Sequence, residues 1–187
     1  ALQLSAIRFA AVCCSTPSTA GIFAADGGYA WSDFSDFLRA YDRVAGLFTT
    51  LEDHRQLAEA VLRECAKHGV IYAELAISSD HVAEGDPVRF AEYLAAITEG
   101  AEAAETAMGI KANFVATTIR RLGPDRAAHA ARLAVECGHP RVTGLGLAGY
   151  ERLFHPADFA PAFDIAREGG LKLTAHAGEA CGAQSVR

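Results

Sequence analysis

No apolar run in this chain approaches the roughly 20 residues that a helix needs to cross a bilayer, so no helical membrane span is expected. Nor is there a basic run: 17 Lys and Arg stand against 23 Asp and Glu, for a net charge of −6. With no cluster to neutralise phosphates, nucleic acid is not an expected partner. The five cysteines, Cys13, Cys14, Cys65, Cys137 and Cys181, are odd in number and form no C-x-x-C pair. They read as reduced thiols of a cytoplasmic protein, small hydrophobes rather than a disulfide or metal framework. A secretory leader lacks support too. Residues 1–14 are apolar, but Arg8 lies inside the run, whereas a leader places its basic residues ahead of it.

What is present suits a globular domain. The 187 residues are 51% hydrophobic and 21% charged, enough for one sizeable core. After Ser-, Thr-, Pro- and Gly-rich loop chemistry over 15–28, Ser32 reads as the N-cap of a helix whose Phe34, Phe37, Leu38 and Tyr41 share one face. By spacing alone that aromatic stripe is core. Thr50-Leu51-Glu52-Asp53 opens a second helix with a capping box, and Gly69 closes it.

A rhythm then sets in. Strands are expected at 70–77, 110–117, 142–149 and 171–175, with helices at 87–108, 124–136 and 156–168 between them. Strand–helix alternation at this period indicates right-handed βαβ units and a parallel sheet, either doubly wound or closed into a barrel. The spelling Gly144-x-Gly146-x-x-Gly149 falls within and at the end of a strand, not in a strand-to-helix turn, so it is not a dinucleotide loop.

The chemistry concentrates where the last strand stops. Leu171-Lys172-Leu173-Thr174-Ala175 reads as a strand buried on both faces, followed directly by His176-Ala177-Gly178-Glu179. Residues at the C-terminal ends of parallel strands face the site that such folds use. An imidazole there can bind metal, and a carboxyl three positions on can move a proton. Glu74, in the first strand, is expected to make a structural hydrogen bond rather than to act in catalysis.

Thr174-Ala-His-Ala-Gly-Glu179 resembles the His-Ala-Gly-Glu signature of the adenosine deaminase family, zinc enzymes built on a (β/α)8 barrel. Further stretches are similar to that family, among them Thr50-Leu51-Glu52-Asp53, which resembles its Thr-x-Glu-Asp helix on the outside of the barrel. Asp36-Phe37-Leu38-Arg39-Ala40-Tyr41 resembles the helix that lids the purine pocket, with Phe37 at an apolar gate position. Tyr72-Ala73-Glu74-Leu75 resembles the Tyr-x-Glu-x-Arg-x-Ser-Pro strand, although Ala76 stands where the Arg would be and Ser78-Ser79-Asp80-His81 replaces Ser-Pro and its sequel. Gly144 to Glu151 resembles Gly-x-Asp-Leu-Ala-Gly-Asp-Glu, with Gly149 at the glycine whose backbone meets the purine ring. Gly146 and Tyr150 replace acidic residues there, which points to a different pocket rim and leaves room for a substrate other than plain adenosine.

The resemblance implies a (β/α)8 TIM-barrel fold of the α/β class. It also implies one Zn2+ per complete site with His176 as a ligand, Glu179 as the acid that protonates the purine, and Gly149 and Phe37 as substrate contacts. The implied reaction is hydrolytic deamination of adenosine or a related 6-aminopurine, with loss of ammonia. Residues 1–20 resemble nothing in the family. Residues 21–187 read as an incomplete barrel, with lid helices at 32–68 and about four βα units over 70–187, where a whole barrel takes roughly 250 residues. A catalytic zinc takes three protein ligands. The family's His-x-His, later His and Asp-Asp are not found, and His54, His68, His129 and His139 fall on outer helices, with His81 and His155 in loops. The 187-residue chain is therefore expected to be part of a longer protein and to show little deaminase activity alone. The alternatives are a non-catalytic half-barrel that binds a purine or a protein partner, with self-association through open sheet edges, and another metal-dependent barrel hydrolase.

Overall fold

The computed structural model describes residues 30–186. The apolar opening 1–14, the loop read over 15–28, and Cys13 and Cys14 lie outside the described residues. In chain order the elements are α1 (Phe34–Ala45), α2 (Leu51–Lys67), β1 (Tyr72–Ile77), α3 (Ser79–Ala83), α4 (Pro87–Met108), β2 (Lys111–Ile119), α5 (Gly123–Glu136), β3 (Val142–Ala148), α6 (Ala160–Glu168) and β4 (Lys172–Ala175). They divide into two compact units: residues 30–71 with 95–111, and residues 72–94 with 112–186.

In the first unit, helix starts follow local hydrogen bonding. The cap of α1 is Asp33, whose extended backbone lets its carboxylate accept the Asp36 amide at 2.8 Å. Ser32, expected as the cap, lies one residue outside and donates its hydroxyl to the Asp36 side chain. Both residue types cap well, so pattern alone could not choose between them. α2 opens with the full capping box: the Thr50 hydroxyl accepts the Asp53 amide at 3.1 Å, and the Asp53 carboxylate accepts the Thr50 amide at 2.9 Å. Ala58, Leu62 and Cys65 form the buried face of α2, and Ala101 and Ala104 are buried on α4.

Gly100 is where α4 meets the α2 backbone. A Cβ there would stand 2.0 Å from the Arg55 carbonyl oxygen and 3.2 Å from the Ala58 Cβ. Backbone cannot rotate away as a side chain can, so Gly100→Ala must push these two helices apart. Overpacking of this kind costs about 1–3 kcal/mol, more than the helix propensity that Ala gains over Gly, about 1 kcal/mol. A lower urea midpoint for the variant is the expected result, and a raised midpoint would show that α4 shifts freely.

In the second unit the sheet has the strand order β1-β2-β3-β4, with β2/β3 and β3/β4 parallel. Each new strand adds on the same side, with no reversal of order. A doubly wound sheet reverses at its switch point, so this winding is that of a barrel, present over four strands. Among the described residues of this unit, helices cover one face of the sheet. Ile77, Phe114, Leu145 and Leu147 are buried on that face, against Ala127, Ala131, Ala162 and Ala166 of α5 and α6. The opposite face exposes Tyr72, Glu74, Lys172 and Thr174.

This corrects the expectation of a last strand buried on both sides. Lys172, Thr174 and Ala175 are exposed and Leu173 is half-buried. β4 is an edge strand among the described residues and has helices on one side only. Glu74 is likewise exposed, although its expected hydrogen bond is present, donated by the Tyr72 hydroxyl at 2.9 Å. Gly144 and Gly146 lie inside β3, paired with β2 and β4, as expected of a strand rather than a phosphate loop.

Two local departures matter for the site. Ser79–Ala83 is a short helix, so His81 is helical rather than in a loop. The stretch after Pro156 begins as one turn of 3-10 helix, Pro156–Phe159, before α6 takes over. His155 caps that turn, its Nδ1 accepting the Ala157 amide at 3.2 Å.

Candidate active site

Parallel pairing brings three strand ends to one level. Ile119 at the end of β2 lies opposite Ala148 of β3, and Leu147 lies opposite Ala175 of β4. The next residues on these strands, Arg120, Gly149 and His176, therefore gather at one C-terminal edge. His176 is bound there by its backbone: its amide donates to the Leu147 carbonyl at 2.8 Å. Its own carbonyl accepts from Arg120 Nη2 at 3.0 Å. Gly149 has φ +98, which L side chains rarely adopt, and a Cβ on it would lie 3.4 Å from Ile119 Cγ2 and 3.5 Å from the Arg120 amide nitrogen. A glycine is favoured here by the backbone, since a Cβ would meet only ordinary contacts but the φ is one that side chains strain to adopt.

The His176 ring also faces the Leu147 carbonyl, with Nδ1 at 3.2 Å. A carbonyl only accepts, so this bond needs the proton on Nδ1 and leaves a lone pair on Nε2. That is the tautomer in which an imidazole can ligate a metal while its other nitrogen is held by backbone. His176 thus fits as one zinc ligand. Among the described residues no group of three or more His, Cys, Asp or Glu could hold a metal ion. The other histidines are engaged elsewhere: His129 with the Gly85 carbonyl at 2.8 Å, His81 with Arg121 at 3.2 Å, and His139 with the Arg141 amide at 3.3 Å.

Two residues that sequence reasoning passed over organise this edge. Arg120 is 2% exposed, its guanidinium carbon 5.8 Å from the centre of the Phe159 ring. Glu151 is 7% exposed and uses both carboxylate oxygens. Oε1 accepts the Gly178 amide at 2.6 Å and the Ser185 hydroxyl, while Oε2 accepts the Ala180 and Cys181 amides at 2.7 and 2.9 Å. The Ser185 hydroxyl and these amides hold the carboxyl well below the usual range, at about 2. Since the folded value lies below the ordinary one, the stabilisation is present above about pH 4.5 and is lost as pH falls toward about 2. The only sequence signal was an acidic residue closing the Gly144–Glu151 segment, and nothing there named its partners.

Glu179 is exposed, in the turn that follows His176, with Gly178 and Ala180 held on either side of it. The structure therefore brings Gly149, His176 and the Glu179 segment to the same sheet edge. Phe37 belongs to the other unit. There it lies 5.1 Å from Trp31 and 5.8 Å from Phe34, centroid to centroid, with Tyr41 at 6.4 Å. Cys65, Cys137 and Cys181 are free. No helix among the described residues is long and apolar enough to cross a membrane.

Comparison with known proteins bears on the same residues. The family model of adenosine deaminase matches residues 28–187. The chain is 49% identical over 164 residues to an adenine deaminase of Chelativorans sp. (strain BNC1), covering 88% of this chain and 50% of the relative. It is 46% identical over 166 residues to an adenine deaminase of Agrobacterium fabrum (strain C58), covering 88% and 50%. The chain spans about half the length of the curated relatives it matches. Among solved structures it resembles an amidohydrolase with bound Zn from Burkhoderia ambifaria, with a TM-score of 0.69 and 29% identity over 75% of this chain and 40% of that one. An adenine deaminase from Arthrobacter aurescens shares the fold, with a TM-score of 0.78 at 20% identity over 99% of this chain and 57% of that one. With the match running through nearly every described residue, the chain belongs to the adenosine deaminase family.

Proposed function

We propose that the protein carrying this chain hydrolyses the 6-amino group of a purine to a 6-oxo group, releasing ammonia, with adenine rather than adenosine as its preferred substrate. The observation that carries this reading is the His176–Glu179 segment at the C-terminal sheet edge beside Gly149, in a chain 49% identical over 164 residues to one adenine deaminase. The choice of the free base rests on those relatives' names and on Gly146 and Tyr150, which stand where the family pattern has acids.

Zinc bound in such a site would supply a water whose pKa is lowered to near 7, so that hydroxide is available at neutral pH. Nε2 of His176 is the lone pair offered to it, and the remaining ligands are not among the described residues. Glu179 gives a proton to a purine ring nitrogen as water oxygen bonds to C6. One of the water's protons restores Glu179 and the other passes to the amine, so that the C6–N bond breaks, ammonia leaves and the 6-oxo group forms. The bare backbone of Gly149 lets the ring approach the sheet edge.

The test is turnover of adenine and adenosine by the complete, zinc-loaded protein, followed by ultraviolet absorbance. Adenine should be consumed with kcat/KM at least tenfold above that for adenosine. Equal or reversed preference removes the free-base assignment, and no turnover of any 6-aminopurine removes the deaminase reading. The 187-residue chain alone should consume neither, since His176 is one ligand where a catalytic zinc takes three.

A further inference from the structure

Three amides around Glu179, those of Gly178, Ala180 and Cys181, converge on one buried carboxylate two residues beyond Gly149. The Ser185 hydroxyl closes the ring of donors, and it in turn accepts the Gly178 amide at 2.7 Å. A carboxylate is an acceptor only, and four donors suit its four lone-pair sites. Bonds of amides to an ionised carboxylate are among the stronger ones in proteins. The start of the same segment is tied by the β4 ladder, through the His176 amide, and by Arg120 on the His176 carbonyl. Glu179 itself is exposed, and its neighbours on both sides are fixed. Its backbone is therefore held on both sides by the Glu151 carboxylate.

We propose that Glu151 is a positioning residue: its carboxylate sets the backbone of residues 178–181 and thereby where the carboxyl of Glu179 stands relative to His176. For catalysis this rests on the role given to Glu179 above, whereas the hold on the backbone does not. A Gln at 151 keeps the size but turns one acceptor oxygen into an NH2 donor facing donors. An Asp keeps the acceptors and retracts them by one methylene.

The experiment compares the complete protein with its Glu151→Gln and Glu151→Asp variants by amide hydrogen exchange, zinc content and adenine kinetics. In Glu151→Gln, exchange at residues 178–181 should quicken at least tenfold while exchange in β2 and β3 stays as in the wild type. kcat should fall on the order of 10- to 100-fold, as when groups that orient a reacting residue are removed. KM and zinc content should change little, and Glu151→Asp should recover part of both the protection and the rate. Unchanged exchange at 178–181 overturns the proposal whatever the activity. Quickened exchange with wild-type kcat and pH profile also overturns it, because the bonds would then only secure the fold. If the wild type deaminates no purine yet Glu151→Gln loosens 178–181, the hold stands and the deaminase reading is what fails.

Discussion

Glu179→Gln in the complete protein is expected to lower kcat for adenine by about 10²–10⁴-fold, the range over which a positioned general acid acts. Gln has nearly the same shape and can still hydrogen-bond a ring nitrogen, but it has no proton to give at the moment of attack. KM should therefore stay within a few-fold of wild type. The change sits in the turn after β4, between Gly178 and Ala180, whose amides remain bound to Glu151. The turn should keep its shape, and His176 its hold on Leu147 and Arg120. Zinc content is the internal control: near-stoichiometric metal with lost turnover isolates the acid step. A variant with wild-type kcat would take Glu179 out of the mechanism and leave the exposed carboxyl without a catalytic role.

Phe159→Ala should destabilise the second unit by about 3–5 kcal/mol, as for buried aromatic rings cut back to a methyl. Phe159 has no exposed surface, stands at the end of the 3-10 turn that leads into α6, and meets Phe154 edge-on at 6.0 Å and 87°. Its loss opens a cavity that cannot close without moving the backbone around it. It also removes the ring that lies under the guanidinium of Arg120, the residue bonded to the His176 carbonyl. Urea unfolding at unchanged slope measures the loss. A drop of less than about 1 kcal/mol would show that the gap refills, as some cavity sites do.

These two residues also mark how far the sequence could be read. The alternating strand at 171–175 and the His176–Glu179 turn were visible because a strand's period of two, and its end at small residues, are local properties. The helices at 87–108 and 124–136, the capping box at Thr50, and the role of Gly144 and Gly146 as strand residues were legible for the same reason. Phe159 read only as one apolar residue in a helix expected from Pro156. Nothing local marked it as the ring under a buried arginine. Ser32 and Asp33 offered the same capping chemistry one residue apart, and only the actual backbone angles chose between them.

Pattern alone determined that this chain alternates strands and helices, and that an imidazole and a carboxyl follow one strand end. Both follow from torsional preferences and spacing within a few residues. Tertiary structure alone decided that the strands wind in one direction, that helices cover one sheet face, and that α4 meets α2 at a glycine. It also decided that Glu151 and Arg120, 27 and 56 residues from the groups they bind, hold the turn beyond β4. Such partners are chosen by parallel register and burial, where an unpaired carboxylate is costly, and neither quantity is a property of a short stretch of sequence.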